Sequence, residues 1–304
     1  MGAIFAVLFL INALSMGSLL QAEAITGSLY GVLGIPKALV ASLLAVAVFF
    51  IMRRGAEGIS RLTERLVPWM TLGYVILSLG VLIVRRDGVG AALASIVSDA
   101  FQPMAVAGGV GGFLLSRGVR YGTMRGLISN EAGCGTSPTA HALSDGREPA
   151  RQGVWGMVEV FVDTILLCTL TALVVLLGFD ASAAESGNFI MVTVSAYASV
   201  FGDFAALAMS VFVLCFGFAT ILCWAHYGRE SVRYLCRGRG GERAFGYLYA
   251  GSVLLGACSI SGAVWTLTDW CVGLMTLINL VILLLSAREI RAETRKYFFD
   301  KKEK

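Results

Sequence analysis

Residues 154–178 read VWGMVEVFVDTILLCTLTALVVLLG, with Glu159 and Asp163 as the ionisable side chains of the run. At 1.5 Å of rise per residue a helix of this length reaches across a hydrocarbon layer about 30 Å thick. Lipid offers no water to an unpaired amide, so a lone spanning segment must bond within itself, as a helix does. The stretch therefore predicts a membrane-spanning α-helix carrying a carboxylate inside it.

Working outward, seven further apolar runs occupy residues 2–20, 36–52, 66–84, 99–116, 204–227, 244–260 and 263–287. The chain is expected to be an all-α polytopic membrane protein with about eight transmembrane helices. Its transmembrane domain would cover residues 1–287, followed by a charged tail, 288–304, helical where it leaves the bilayer. The composition agrees: 57% of residues are hydrophobic and 14% charged, with a mean hydropathy of +0.78, against about 25% charged in a typical soluble domain. The run at 2–20 has neither a basic leader nor an A-x-A-like cleavage site, so it reads as a span rather than a signal peptide. Residues 185–203 are moderately apolar and bounded by Asp180 and Asp203. They read as an amphipathic or re-entrant helix over the external mouth.

Charge sets the orientation. Of the 24 basic residues, 21 fall in four segments, 53–65, 117–151, 228–243 and the tail from Arg288, while Lys37, Arg85 and Arg86 lie elsewhere. Eight spans put all four segments on one face, which the positive-inside rule makes cytoplasmic, together with both termini. The formal charge of +4 is thereby a topology signal and not a nucleic-acid footprint. The seven cysteines form no C-x-x-C pair, and those within apolar runs behave as small hydrophobes, so neither a disulfide nor a metal site is expected. His141 and His226 pair with no serine or cysteine in a catalytic spacing, and no G-x-x-x-x-G-K-[ST] is present. No enzyme and no organic cofactor is expected.

A charged group inside a membrane is costly and usually faces the bundle interior or a water-filled cavity. Asp163, with Thr164 beside it, has two readings: a hard oxygen ligand for a small cation or a substrate amine, or a helix-packing hydrogen bond. Gly108, Gly109, Gly111 and Gly112 follow Pro103 in run 99–116. They read either as a broken helix exposing carbonyls or as small-residue packing. Thr220 is a ligand or a back-bonded hydroxyl. Trp265 and Asp269 open the last run from its outer end, where an aromatic belt would also place a tryptophan. Segment 117–153 is too polar to span; its glycines and Pro138 would divide it into short helical pieces, with Asn130 and Glu131 as oxygen ligands or caps.

Residues 125–142 of that segment, RGLISNEAGCGTSPTAHA, resemble the signature of the alanine or glycine:cation symporter family, the sodium:alanine symporters, with Ile128 where Phe is usual. The likeness continues through Phe161-Val162-Asp163-Thr164, Phe218-Ala219-Thr220 and Trp265-Thr266-Leu267-Thr268-Asp269. Upstream, Gly17 to Ala22 is similar to the family's G-N-M-x-Q-A, with Ser18 in place of Asn and Gln21 kept. The resemblance implies a leucine-transporter-like fold of inverted repeats, in which the eight runs are core helices three to ten. It implies alternating-access symport of alanine, glycine or a similar amino acid with sodium or a proton. The setting would be the plasma membrane, the inner membrane of a bacterium. Substrate is expected at Gln21, Gly108, Gly109, Asp163 and Trp265, and the coupling cation at Asp163, Thr164 and Thr220. Ser129, Asn130, Glu131 and Gly133 would form a structural loop motif. The family's N-terminal helix and first two core helices have no counterpart in this sequence. The expectations are then a site completed by a separate N-terminal fragment or, alternatively, a transport-inactive remnant or assembly subunit.

Overall fold

The computed structural model describes residues 1–53, 55–100, 110–142, 144, 148–179, 189–236, 238–258 and 261–299. Among them every regular element is a helix: this is an all-α polytopic membrane protein. In chain order they are α1 (Gly2–Leu33), α2 (Lys37–Arg53), α3 (Gly55–Val84), α4 (Arg86–Ala100), α5 (Val110–Asn130), the single turn α6 (Ser137–His141), α7 (Pro149–Leu177), α8 (Phe189–Leu235), α9 (Arg239–Leu255), α10 (Ser261–Leu285) and α11 (Ala287–Phe298). Five stretches, within α1, α3, α7, α8 and α10, are long and apolar enough to cross a membrane. The runs at 36–52 and 244–260 are helices as well, α2 and α9, of 17 residues each. The charged tail continues as α11.

The core forms where α1, α8 and α9 meet. Trp224 and Tyr249 are fully buried there, with Phe9 packed edge-on against Trp224 at 5.5 Å between ring centroids. Small hydroxyl residues cross-link the helices: Ser28 donates to Ser210 at 2.9 Å, and Ser18 and Ser252 share a 2.6 Å bond. The opposite surfaces of α2 and α3 carry exposed Leu43, Val46, Ile76 and Ile83, as helices solvated by lipid should.

Three boundaries differ from the sequence expectation. The run at 2–20 is the first part of a helix that continues to Leu33, passing through a π-helical segment at Ser15–Leu20. The described part of stretch 185–203, from Phe189, is helical and joins the following run into α8. The junction is Gly202, at φ 60° and ψ −147°, a conformation open essentially to glycine alone. The largest correction concerns 117–130. Its glycines do not divide it; it forms one helix with the residues before it, α5. The helix and the turn that follows it touch α10 at three places. Arg125 Nη2 donates to Asp269 Oδ1 at 2.9 Å, Met124 lies over Gly273, and Asn279 Nδ2 donates to Gly133 O at 3.0 Å. The Arg125 partner, Asp269, sits about 12 Å along α10 from its start. A sequence too polar to face lipid can sit beside a span when its charges are paired there.

Candidate functional site

A cavity of about 870 Å³ opens between α3, the end of α5, α7 and α8. Local backbone irregularity builds its walls. Helix α7 is π-helical over Phe161–Leu167, the seven residues that contain Asp163 and Thr164; such segments re-aim side chains and recur at functional sites. On the facing wall α5 ends at Asn130 and the chain turns through Glu131, which holds a left-handed φ of 56°, the one positive φ outside glycine among the described residues. The turn is secured by Asn130 Oδ1, which accepts the Ala132 amide at 3.2 Å. It closes at Gly135 (φ 81°), where any side chain would also run into Asn279.

These irregularities bring oxygen atoms together. Asp163 Oδ2 accepts from Ser129 Oγ at 2.5 Å and from Thr164 Oγ1 at 3.3 Å. Asn130 Nδ2 lies 3.4 Å from Thr164 Oγ1. Glu131 is held from two sides: Trp224 Nε1 donates to Oε1 at 3.1 Å and Thr136 Oγ1 to Oε2 at 3.0 Å. Thr220 lines the same cavity, its hydroxyl donating to Phe216 O at 2.9 Å. Three carboxylates, Glu131, Glu159 and Asp163, face the cavity, and among its described lining residues there is no lysine or arginine. A space lined this way concentrates cations and offers them carboxylate, hydroxyl and amide oxygens, the ligands hard cations take.

Of the residues singled out from sequence, the structure gathers Ser129, Asn130, Glu131, Asp163, Thr164 and Thr220 around this cavity. Gly133 lies beyond it, in the turn, against Leu127 and Asn279. Gln21 and Trp265 are not among its lining residues. Gln21 is half-buried just past the π-helical segment of α1, with its carbonyl near Gly217 of α8. Trp265 is stacked under the Arg125 guanidinium, 4.1 Å from ring centroid to charge, beside the Arg125–Asp269 pair. Gly108 and Gly109 lie outside the described residues. Sequence reasoning passed over Trp224. Its position four residues after Thr220 was the available signal, because i and i+4 share a helix face.

The family model described as the sodium:alanine symporter family matches residues 1–304. An uncharacterized transporter of Haemophilus influenzae is 33% identical over 286 residues, covering 93% of this chain and 62% of that protein. The amino-acid carrier protein AlsT of Bacillus subtilis is 30% identical over 286 residues, 94% of this chain and 60% of the carrier. The sodium/alanine symporter AgcS of Methanococcus maripaludis is 28% identical over 300 residues, 98% of this chain and 65% of the symporter. The chain thus spans about three-fifths of the length of the curated relatives it matches.

Proposed function

The chain belongs to the sodium:alanine symporter family, and from that premise we propose that it builds one wall of a pathway carrying a small neutral amino acid, alanine or glycine, across the membrane with a sodium ion. The observation that carries this reading is the acidic cavity with Asp163 on a π-helical turn, facing the hydroxyls of Ser129 and Thr164. Asp163 is the cation ligand, with Thr164 and Thr220 supplying further oxygens. Glu131, anchored by Trp224 and Thr136, fixes the turn that presents Ser129 and Asn130. No covalent chemistry is involved. Sodium favours one conformation of the carrier by the difference in its affinity for the two, and alternating access follows from that difference. The helices belong to an inverted-repeat bundle of the leucine-transporter kind, with both termini cytoplasmic.

The test is uptake of radiolabelled alanine by cells expressing the protein, measured across sodium concentrations. Asp163→Asn keeps the side-chain volume and removes the charge. It should raise the half-saturating sodium concentration by at least about ten-fold at unchanged membrane abundance, as loss of a ligand or its close support does at metal sites. An unaltered sodium dependence would return Asp163 to helix packing and remove the basis of the reading.

A further inference from the structure

A second cavity, of about 560 Å³, lies where α2 ends, α8 ends and α9 begins. Its chemistry is the reverse of the first. Four guanidinium groups line it, Arg53, Arg229, Arg233 and Arg243, with Glu242 as the one carboxylate among its described lining residues. Glu242 is divided between two of them, 3.3 Å from Arg229 Nε and 3.0 Å from Arg233 Nε. The Arg229 contact is off the line of a hydrogen bond, which leaves that buried N–H without an acceptor. Glu230 also engages Arg233, at 2.6 Å, so two carboxylates stand against four guanidinium groups. The plainer reading is that basic residues at helix ends complement the helix dipoles and mark the cytoplasmic side. That reading covers Arg53 and Arg233. It leaves unexplained a walled cavity and a buried guanidinium N–H aimed at no acceptor.

The walls tell what kind of anion fits. Phe49 and Tyr247 meet at 5.4 Å between ring centroids at the edge of the cavity. From there the apolar surface runs outward over Phe50 and Tyr247, which are 59% and 68% exposed, to Val46, Leu43 and Leu248. An arginine cluster continuous with a lipid-facing apolar strip matches a ligand with a phosphate at one end and acyl chains at the other. We propose that this cavity binds the phosphate headgroup of an anionic phospholipid, its acyl chains lying along the outer faces of α2 and α9. The ligand would tie the end of α2 to the short α8–α9 connection.

The protein reconstituted into nanodiscs of phosphatidylcholine containing a minority of phosphatidylglycerol tests this. Bound lipids are identified by native mass spectrometry after release from the disc. The protein should retain phosphatidylglycerol preferentially. The double variant Arg53→Gln/Arg243→Gln, which alters two exposed residues, should lower that retention by about thirty-fold, near five-fold for each guanidinium lost at a membrane surface. Arg86→Gln, which removes one charge from an exposed arginine at the start of α4, should leave it unchanged. If the double variant proves unfolded by circular dichroism, Arg243→Lys serves in its place, keeping the charge without the planar fork and giving a partial loss. Retention without preference over phosphatidylcholine, or equal losses in the Arg86→Gln control, would overturn the proposal. So would displacement of the lipid by millimolar inorganic phosphate, which would make the site one for a free anion.

Discussion

Helices α1 and α7 are alike in apolar character and in backbone irregularity and unlike in what surrounds them. Their apolar stretches have mean hydropathies of 2.2 and 2.5, and each is interrupted by a π-helical segment, at Ser15–Leu20 and at Phe161–Leu167. Yet half of the α1 stretch is buried, against 11% of that of α7. The irregular turn of α1 is answered from outside. The Tyr249 hydroxyl of α9 reaches Gly17 O at 3.2 Å and Ile221 O at 2.7 Å, and Trp224 of α8 packs onto Gly17. The irregular turn of α7 points its own polar groups, Asp163 and Thr164, toward a cavity. One π segment is a locking joint of the scaffold and the other a presenting surface. Hydropathy cannot separate them, because it registers how much a helix dislikes water and not what it touches instead.

Four substitutions bear on that difference. Gly17→Ala should have the largest effect. A Cβ there would lie 2.3 Å from Trp224 Cβ, an atom fixed to the backbone of a packed helix. The strain should cost about 3 kcal/mol, read as a fall in the thermal unfolding midpoint in detergent. Tyr249→Phe leaves the carbonyls of Gly17 and Ile221 without their shared donor in a dry core, for a loss of about 2 kcal/mol by the same assay. Gly153→Ala should move the midpoint upward. Nothing lies within 4 Å of a Cβ at this position of α7, and helix propensity favours alanine by about 1 kcal/mol. If Gly17→Ala were tolerated as well as Gly153→Ala, the contrast between the two helices would fail. The smallest change is expected from Thr171→Val, which removes the hydrogen bond joining α7 to Tyr74 of α3; buried side-chain bonds of this kind average about 0.6 kcal/mol in membrane proteins. A loss as large as that of Tyr249→Phe would show α7 to be anchored like α1.

Much of the architecture was legible because lipid imposes simple rules. Long apolar runs became helices, and the depth of Asp163 within its run pointed to a cavity. The extension of α1 past Leu20 was harder to see, since Gln21, Glu23 and Thr26 look like a boundary. In the structure Thr26 is buried and Glu23 and Gln21 half-buried, on a helix enclosed by protein. The continuation of α5 through 117–130 was missed for a related reason. Hydropathy recognises helices that face lipid, whereas Arg125 is matched by Asp269 and by the Trp265 ring, partners some 140 residues away in sequence. The oxygen-rich cavity was partly legible. Asp163, Thr164 and Thr220 stand out as polar residues in apolar runs, but the bond from Trp224 to Glu131 joins residues whose proximity only the fold creates.

Gly202 has a consequence for how α8 is oriented about its own axis. In an unbroken helix each residue turns the next by about 100°, so the phase of one end dictates the phase of the other over all 47 residues of Phe189–Leu235. The glycine joint uncouples them. Upstream, Val194, Ala196 and Tyr197 turn inward, with Tyr197 bonded to Ser78; downstream, Ala205, Met209 and Ser210 begin a separately phased buried stripe. The upstream arm can therefore be seated by α3 while the downstream arm is rotated to whatever angle points Thr220 and Trp224 into the acidic cavity. A one-residue insertion at this joint would be absorbed as a change of bend. The same insertion one turn later would swing Thr220 by more than a quarter of a revolution.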